Sequence, residues 1–247
     1  MNDSYIEAQH LSVRRGGQTI LRDINLRIQT GEFIAIVGKS GAGKSTLLHT
    51  LAGHLPYSGD LRIPQRIGMV FQKHAVFPWM TVKQNVSFGL PSMSMQSREE
   101  KTAHSLRVAG IEEKATLYPS ELSGGQAQRI AIAREFGRKP DVLLMDEPFG
   151  ALDVITRETM QRWLLDVWYQ ERMTIIMVTH SIEEALVLAD RILILHDGNF
   201  IHEYGDFHPP LRGSNTRLSY QFLNMRQNIT DALISAESLT CSRFLNS

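Results

Sequence analysis

The chain has 247 residues and carries 26 basic and 26 acidic side chains, so its formal net charge is zero. This balance argues against a protein that holds nucleic acid over a broad surface, which needs a surplus of basic residues. The single cysteine excludes an intrachain disulfide and a cysteine-rich metal site. No apolar run approaches the roughly 18 residues that span a membrane, and the N-terminus lacks the basic and apolar segments of a signal peptide. We therefore predict a cytoplasmic protein.

The first 37 residues predict three strands. Apolar positions predict a strand over residues 6–13, which a turn at Gly16 and Gly17 separates from a second strand over residues 20–28. Residues 33–37 are all apolar, as expected of a strand that is buried on both faces of a sheet. Further buried strands are predicted at 66–71, 142–145, 174–178 and 191–195. Helical patterns lie between these strands, and such alternation indicates βαβ units and a mostly parallel sheet.

Two later segments have a different pattern. Residues 85–137 contain no convincing strand and predict several helices, which we interpret as a helical subdomain inserted into the α/β core. Pro209 and Pro210 break the chain after Gly205. Beyond them, apolar residues recur at helical spacing, namely Leu218, Phe222, Met225, Ile229 and Leu233. This spacing predicts a tail helix, which either packs on the protein's own core or binds a partner.

A phosphate-binding loop is predicted directly after the strand at 33–37. The match to G-x-x-x-x-G-K-[ST] consists of Gly38, Lys39, Ser40, Gly41, Ala42, Gly43, Lys44 and Ser45, and Thr46 follows it. A helical run over residues 47–52 comes next, and the N–H groups at its start can bind phosphate oxygens. Lys44 can reach the β- and γ-phosphates of a nucleotide, and the Ser45 hydroxyl can ligate Mg²⁺. A purely structural glycine turn is the alternative.

Two acids end the predicted strand at 142–145. Because strand ends line the ligand crevice of open α/β sheets, Asp146 is a candidate to hold Mg²⁺, directly or through water. Glu147 is then the candidate to orient or deprotonate an attacking water. A pair of acids at a solvated strand end is the alternative.

A second anion site is predicted at Ser123, Gly124, Gly125 and Gln126, which precede a helical run over residues 127–136. A serine followed by two glycines offers a hydroxyl and bare N–H groups at a helix start, although most such starts are only caps. Two phosphate-binding helix starts in one chain are explained most simply if they serve opposite sides of one nucleotide in a dimer.

These motifs together resemble those of the ATPase subunits of ABC transporters, and the resemblance covers residues 5–203. The phosphate loop and the paired acids match the Walker A and Walker B motifs, and residues 122–126 match the family signature. Gln72 stands at the position of the Q-loop, Asp153 ends the D-loop, and His180 follows the predicted strand at 174–178. Residues 77–79, 85–86 and 147–153 resemble, more specifically, the ATPases of nitrate, sulfonate and taurine importers.

The resemblance implies a fold and a function. The fold is an α/β P-loop NTPase with a mostly parallel sheet, an antiparallel β part at the N-terminus and an inserted helical subdomain. The implied regions are an ATPase domain at 1–204, with the helical subdomain at about 85–137, and a helical tail at 205–247. Such a protein binds ATP and Mg²⁺ and powers a membrane permease. It would import a small solute, such as a nitrate-, sulfonate- or taurine-type anion, that a separate solute-binding protein delivers.

The resemblance also implies an assembly and roles for single residues. Two copies, most simply a homodimer, would bind head to tail at the inner face of the membrane, with two ATP molecules between them and no nucleic acid. The residues implied to contact ATP are 38–46 together with Arg15, Gln72, Ser123, Gly124, Gly125, Gln126 and Asp153. The implied Mg²⁺ ligands are Ser45, Gln72 and Asp146. The implied catalytic residues are Glu147 and His180.

The permease is expected to dock near residues 72–80. The apolar residues 76–80 either pack between subdomains or form the wall of a groove that receives a short cytoplasmic helix of the permease, and both roles are compatible.

Two features depart from the family pattern. Arg15 stands where the family usually has an aromatic residue that stacks on adenine, and the guanidinium of Arg15 or Arg14 can stack there instead. Only 27 residues lie between Lys44 and Gln72, fewer than the family usually has. Pro64 limits any strand among them to a sheet edge.

Two other classes of protein remain as alternatives. A P-loop kinase acting on a small molecule would share residues 38–45 but would give no role to the signature or to His180. A soluble cassette ATPase that remodels DNA or ribosomes would share all the motifs. Such factors tend to carry two cassettes or a long coiled coil, and the present sequence has one cassette and no heptad run of that length.

Overall fold

The computed structural model describes residues 4–71, 76–90, 94–205 and 216–245. The chain divides into two compact units, of which the first comprises Met1–Pro64 and Thr174–Ser247 and the second Gln65–Met173. In chain order the elements are β1 (Ser4–Arg15), β2 (Gln18–Gln29), β3 (Phe33–Val37), α1 (Lys44–Leu51), β4 (Ser58–Arg62), β5 (Ile67–Val70), α2 (Val82–Phe88), α3 (Met95–Val108), α4 (Gly124–Gly137), β6 (Val142–Asp146), α5 (Val154–Glu171), β7 (Thr174–Thr179), α6 (Ile182–Leu188), β8 (Arg191–His196), β9 (Asn199–Tyr204) and α7 (Tyr220–Leu245). Within the described ranges, no helix combines the length and the apolar character needed to cross a membrane.

The N-terminal part of the first unit is an antiparallel sheet in the order β2-β1-β4. Alternate residues of β1 and β2, such as Leu11 and Ile24, are fully or almost fully buried, as the period of a half-buried strand requires. The short strand β4 lies at the edge of this sheet, which confirms the edge position expected from Pro64.

The other sheet of the first unit has β3 between two neighbouring strands. This strand pairs in parallel with β7 on one side and with β8 on the other, and all five of its residues are completely buried. The predicted strand buried on both faces is therefore confirmed. The strand β9, which the apolar pattern did not indicate, pairs antiparallel with β8.

The tail helix α7 packs on α6 and β8 of the same unit. Phe222 and Ile229 are buried, and Arg226 forms an ion pair with Glu183 of α6 at 2.8 Å. Of the two alternatives for the tail, packing on the protein's own core is thus confirmed for these positions. The prediction is wrong for Leu218, which precedes α7 and is 86% exposed.

The second unit contains the helices predicted at 85–137 together with two parallel strands, β5 and β6. The helices α2, α3 and α4 surround a cluster of buried apolar side chains, namely Val82, Val86, Leu106, Ala109, Ile111, Ile130 and Ala133. The expected inserted helices are therefore present, and α2 begins three residues before the predicted segment.

Candidate nucleotide site

The predicted phosphate loop connects the end of β3 to the start of α1 in the first unit. Gly41 and Gly43 have φ angles of 85° and 103°, which side chains of L-residues rarely tolerate. A Cβ atom at Gly43 would also lie 2.8 Å from Leu21 Cδ2. Both conformation and space therefore favour glycine at position 43.

Lys44 is the first residue of α1, directly after this loop, and is only 6% exposed. Its Nζ donates hydrogen bonds to the carbonyl oxygens of Gly38 at 2.6 Å and of Lys39 at 2.9 Å, so the ammonium group holds the loop in a closed turn. The N-cap of α1 is Gly43, which has no side chain to cap the helix. A buried cation beside an N-terminus without a capping side chain fits a polyphosphate anion.

A cavity of about 450 Å³ opens beside the loop and suits the remainder of a nucleotide. Its lining consists of Gln18, Thr19, Ile20, Arg22, Gly41, Asp197 and Gly198. Arg15 is the exposed last residue of β1 and pairs with Gln18. Arg14 instead donates to the carbonyl oxygen of Gly17 at 3.3 Å, so of the two arginines Arg15 is the better candidate to stack on a base.

His180 lies exposed between the end of β7 and the start of α6. Thr179 Oγ1 donates to the carboxylate of Glu184 at 2.6 Å and accepts from the Ser181 N–H at 3.1 Å. Ser181 Oγ in turn caps α6 by accepting from the Glu184 N–H at 3.3 Å. These bonds on both sides of His180 fix the backbone that carries it. No motif in the sequence indicates Thr179 or Glu184.

The predicted signature begins α4 in the second unit. Ser123 is the N-cap and forms a capping box, in which its Oγ accepts from the Gln126 N–H at 3.4 Å and Gln126 Oε1 accepts from the Ser123 N–H at 3.0 Å. Ser123 and Gly124 are exposed, whereas Gly125 is buried. The Gln126 side chain thus orients the loop, and the exposed hydroxyl and helix N-terminus can face an anion.

Gly125 has no room for a side chain, because a Cβ atom would lie 2.5 Å from Thr156 Cγ2 in α5. We expect Gly125→Ala to destabilise the protein by up to about 2 kcal/mol, since overpacking costs about 1–3 kcal/mol and the gain in helix propensity offsets about 1 kcal/mol. The measurement is the free energy of unfolding in denaturant without nucleotide.

The matched control is Gly124→Ala, whose Cβ would meet Leu152 at an ordinary 3.4 Å. Thr156→Ser removes the clashing methyl group, so the double variant Gly125→Ala/Thr156→Ser should recover most of the lost stability. Equal stabilities of the two alanine variants would contradict the clash.

The paired acids lie at the end of β6, also in the second unit. Asp146 is the last residue of the strand, and Glu147 follows it with a φ of 44°, which is uncommon for a residue other than glycine. The Gly150 N–H donates to the Glu147 carbonyl oxygen at 3.2 Å, which closes a turn. A conformation of this kind is found at functional sites, where the surrounding fold maintains it.

Asp153 caps α5, and its Oδ1 accepts from the Thr156 N–H at 3.0 Å. Hydrogen bonds from Thr156 lower the pKa of the Asp153 carboxyl below its ordinary value. The structure therefore gives Asp153 a local structural role that the resemblance did not include.

The predicted docking segment is described from Val76 onward, and Gln72 lies outside the described residues. Asn85 is completely buried and holds this segment, because its amide oxygen accepts from the Phe77 N–H at 2.7 Å while its amide nitrogen donates to the Phe77 and Met80 carbonyls, each at 3.0 Å. Trp79 is 69% exposed and its ring packs at a tilt against that of Phe77, with ring centroids 5.5 Å apart.

A groove of about 500 Å³ adjoins this segment, lined by Val76, Phe77, Phe88, Gly89, Arg134, Glu135 and Arg138. Burial raises the pKa of the Glu135 carboxyl above its ordinary value, although the nearby guanidinium groups of Arg138 and Arg134 oppose the shift. The groove therefore combines aromatic rings with charged groups, as a surface that receives an amphipathic helix would.

The chain is similar in sequence to known ATP-binding proteins of transport systems. The ABC transporter family matches residues 21–150. Over 193 residues the chain is 48% identical to the nitrate import ATP-binding protein NrtD of Synechocystis sp., with 74% of this chain and 73% of that protein covered. Over 189 residues it is 44% identical to the aliphatic sulfonates import ATP-binding protein SsuB 3 of Nocardia farcinica, with coverage of 76% and 75%.

The chain is also similar to a solved structure of an ATP-binding cassette. The chain matches the ATP-binding cassette MJ0796, solved as a dimer in a post-hydrolysis state bound to ADP and Pi, with a TM-score of 0.71 and 30% identity. The match covers 84% of this chain and 99% of that chain.

Proposed function

Since the chain belongs to the ABC transporter family and is an ATP-hydrolysing cassette, we propose that it powers the import of a small anion of the nitrate or sulfonate type. The observation that carries the proposal is the loop between β3 and α1, where a buried lysine meets a helix start without a capping side chain. The relatives reported above are named for import of nitrate and of sulfonates. Neither of them is named as a kinase or as a remodelling factor.

The loop at 38–46 supplies the groups that hold the phosphates. In our proposal the Lys44 ammonium and the first N–H groups of α1 bind the β- and γ-phosphates, while Arg15 stacks on the base beside the cavity. Transfer of the phosphoryl group to water requires little covalent chemistry from the protein, so positioning and electrostatic stabilisation supply most of the rate enhancement.

The attacking water is assigned to Glu147 and His180. Glu147 accepts a proton from the water or orients it, and His180 donates a hydrogen bond toward the γ-phosphate from its fixed position after β7. The carboxylate of Asp146 and the hydroxyl of Ser45 are oxygen groups, and Mg²⁺ prefers oxygen ligands. We assign Asp146 and the Ser45 hydroxyl to it, with Gln72 as a further ligand, and bound Mg²⁺ neutralises phosphate charge.

A second copy of the chain completes the site in this proposal. The exposed start of α4, with Ser123, Gly124 and Gly125, contacts the γ-phosphate held by the partner, while Gln126 orients this helix start and Asp153 lies at the interface. The dimer with ADP and Pi described for the similar cassette supports this arrangement. ATP binding then closes the dimer and hydrolysis reopens it.

The groove beside Phe77 receives a cytoplasmic helix of the permease in this proposal, and the exposed ring of Trp79 supplies an anchor. Trp79 packs against Phe77 at the edge of the groove. Because truncation of an aromatic hot-spot residue costs about 2 kcal/mol or more, we expect Trp79→Ala to weaken permease association roughly 30-fold while sparing basal ATP hydrolysis. The measurement is recovery of permease with the tagged protein from detergent-solubilised native membranes, identified by mass spectrometry.

Tyr57→Ala serves as the control, since Tyr57 is an exposed aromatic residue of the first unit, 44% accessible, and lies outside the groove. Equal recovery of permease with Trp79→Ala and the unmodified protein would overturn the docking surface. Recovery of ribosomal or DNA-repair partners without any polytopic membrane protein would overturn the transport function itself.

A further inference from the structure

The C-terminal end of α1 brings two histidines together. Gly53, with a φ of 75°, follows the helix, and its N–H donates to the Thr50 carbonyl oxygen at 2.9 Å. The His54 N–H donates to the His49 carbonyl oxygen at 2.8 Å. These two bonds form a Schellman motif, in which the side chains at the two outer positions usually make an apolar contact. Here both outer positions carry an imidazole.

The separation of the two Nδ1 atoms in this pair matches that of two ligands on one metal ion. The Nδ1 atoms of His49 and His54 are 3.2 Å apart, and their ring centroids are 5.5 Å apart. Two zinc–nitrogen bonds of about 2.0–2.1 Å at a tetrahedral angle place their donor atoms about 3.3 Å apart. The backbone hydrogen bonds of the helix end bring the two imidazoles together, and the two nitrogens lie at a chelating separation.

We propose that His49 and His54 form a binding site for a divalent transition-metal ion of the zinc class, at the end of α1 opposite the phosphate loop. Imidazole nitrogen suits Zn²⁺, Cu²⁺ and Ni²⁺, whereas Mg²⁺ prefers oxygen, so this site is separate from the Mg²⁺ used with ATP. His54 is exposed and His49 is half-buried, which leaves the pair open to solvent.

Water completes the coordination of this ion. In the part of the chain that the structure describes, no group of three or more histidine, cysteine or acidic side chains could hold a metal. Without metal, one Nδ1–H donates to the other Nδ1, since the two atoms lie within hydrogen-bonding distance. Metal binding requires the proton on this Nδ1 to move to Nε2 of the same ring, by exchange with solvent, so that both imidazoles ligate as neutral groups through Nδ1.

The test is a titration of the full chain, prepared without a polyhistidine tag, with Zn²⁺ in competition with a chromophoric chelator. We expect one Zn²⁺ per chain at this site, and binding that a large excess of Mg²⁺ does not displace. His54→Ala should weaken the binding by more than the roughly 10–100-fold that loss of an outer-shell partner causes. His202→Ala is the control, because it removes another exposed imidazole, from β9.

A second variant separates metal ligation from the helix end that positions the ligands. Gly53→Ala keeps both imidazoles but disfavours the positive φ, so it should weaken Zn²⁺ binding by less than His54→Ala does. Circular dichroism confirms that each variant is folded. Failure of the unmodified protein to bind Zn²⁺, or equal affinity of His54→Ala and the unmodified protein, would overturn the site and would leave the ATPase function untouched.

Discussion

Replacement of Glu147 with glutamine is expected to reduce ATP hydrolysis by about 10²–10⁴-fold, the usual contribution of a general base, while ATP binding is retained. The amide of glutamine has nearly the same shape as the carboxylate but cannot take a proton from water. Glutamine also tolerates the backbone φ of 44° about as well as glutamate does, so the folded state should persist. With hydrolysis blocked, ATP and Mg²⁺ should hold two copies together.

The measurement is light scattering at saturating ATP and Mg²⁺, in which Glu147→Gln should have the mass of a dimer. Glu99→Gln is the matched control, because Glu99 is an exposed residue of α3 that forms only a long ion pair with Lys83, at 3.8 Å. This control should hydrolyse ATP at the unmodified rate and dissociate after turnover. If the Glu147→Gln protein binds ATP but stays monomeric, the proposal that two copies of the chain together form each ATP site is contradicted.

The core strands could be predicted from the sequence, whereas the edge strand β9 could not. Phe33–Val37 is an uninterrupted apolar run that ends at a glycine-rich loop, and such a run is typical of a strand buried on both faces. β9 has only half-buried and exposed residues, since it lies outermost beside β8, and its sequence carries no clear alternation. It forms because Asp197 and Gly198, both at positive φ, turn the chain back onto β8.

The chemistry of the site could be predicted where its residues are contiguous in sequence. The phosphate loop, the signature and the paired acids each form a local motif, so their positions at a strand end or a helix start followed directly. The supporting contacts could not be predicted in the same way. The hydrogen bonds of Asn85 to residues 77 and 80 and the bond between Thr179 and Glu184 depend on how a loop folds back, which periodicity does not encode.

The position of Asp153 as a helix cap could also be predicted from the sequence. An aspartate three residues before Thr156, at the start of a long helical run, is a common capping pattern. The resemblance implied only a role for Asp153 at the nucleotide between the two copies of a dimer. A single side chain can serve both purposes, because the cap uses only one carboxylate oxygen.

Lys44→Ala is expected to weaken nucleotide binding by about 30-fold or more, since truncation of one partner of a buried charge pair costs about 2–5 kcal/mol. Two losses combine in this variant. The ammonium group that would neutralise phosphate charge is removed, and the carbonyl oxygens of Gly38 and Lys39 lose the donor that holds the loop closed. Hydrolysis should fall below detection, because both binding and charge stabilisation in the transition state are affected.

Lys39→Ala is the control that distinguishes the role of Lys44 from that of the neighbouring lysine. Lys39 is largely exposed and pairs with Glu237 of α7. Because an exposed ion pair contributes about 0–1 kcal/mol, its loss should change nucleotide affinity by less than about fivefold. Affinities for ATP and for ADP, measured by calorimetry on both variants, distinguish the outcomes. If the two alanine variants lose affinity equally, then overall positive charge rather than the buried position of Lys44 determines binding, and the role assigned to the closed loop is wrong.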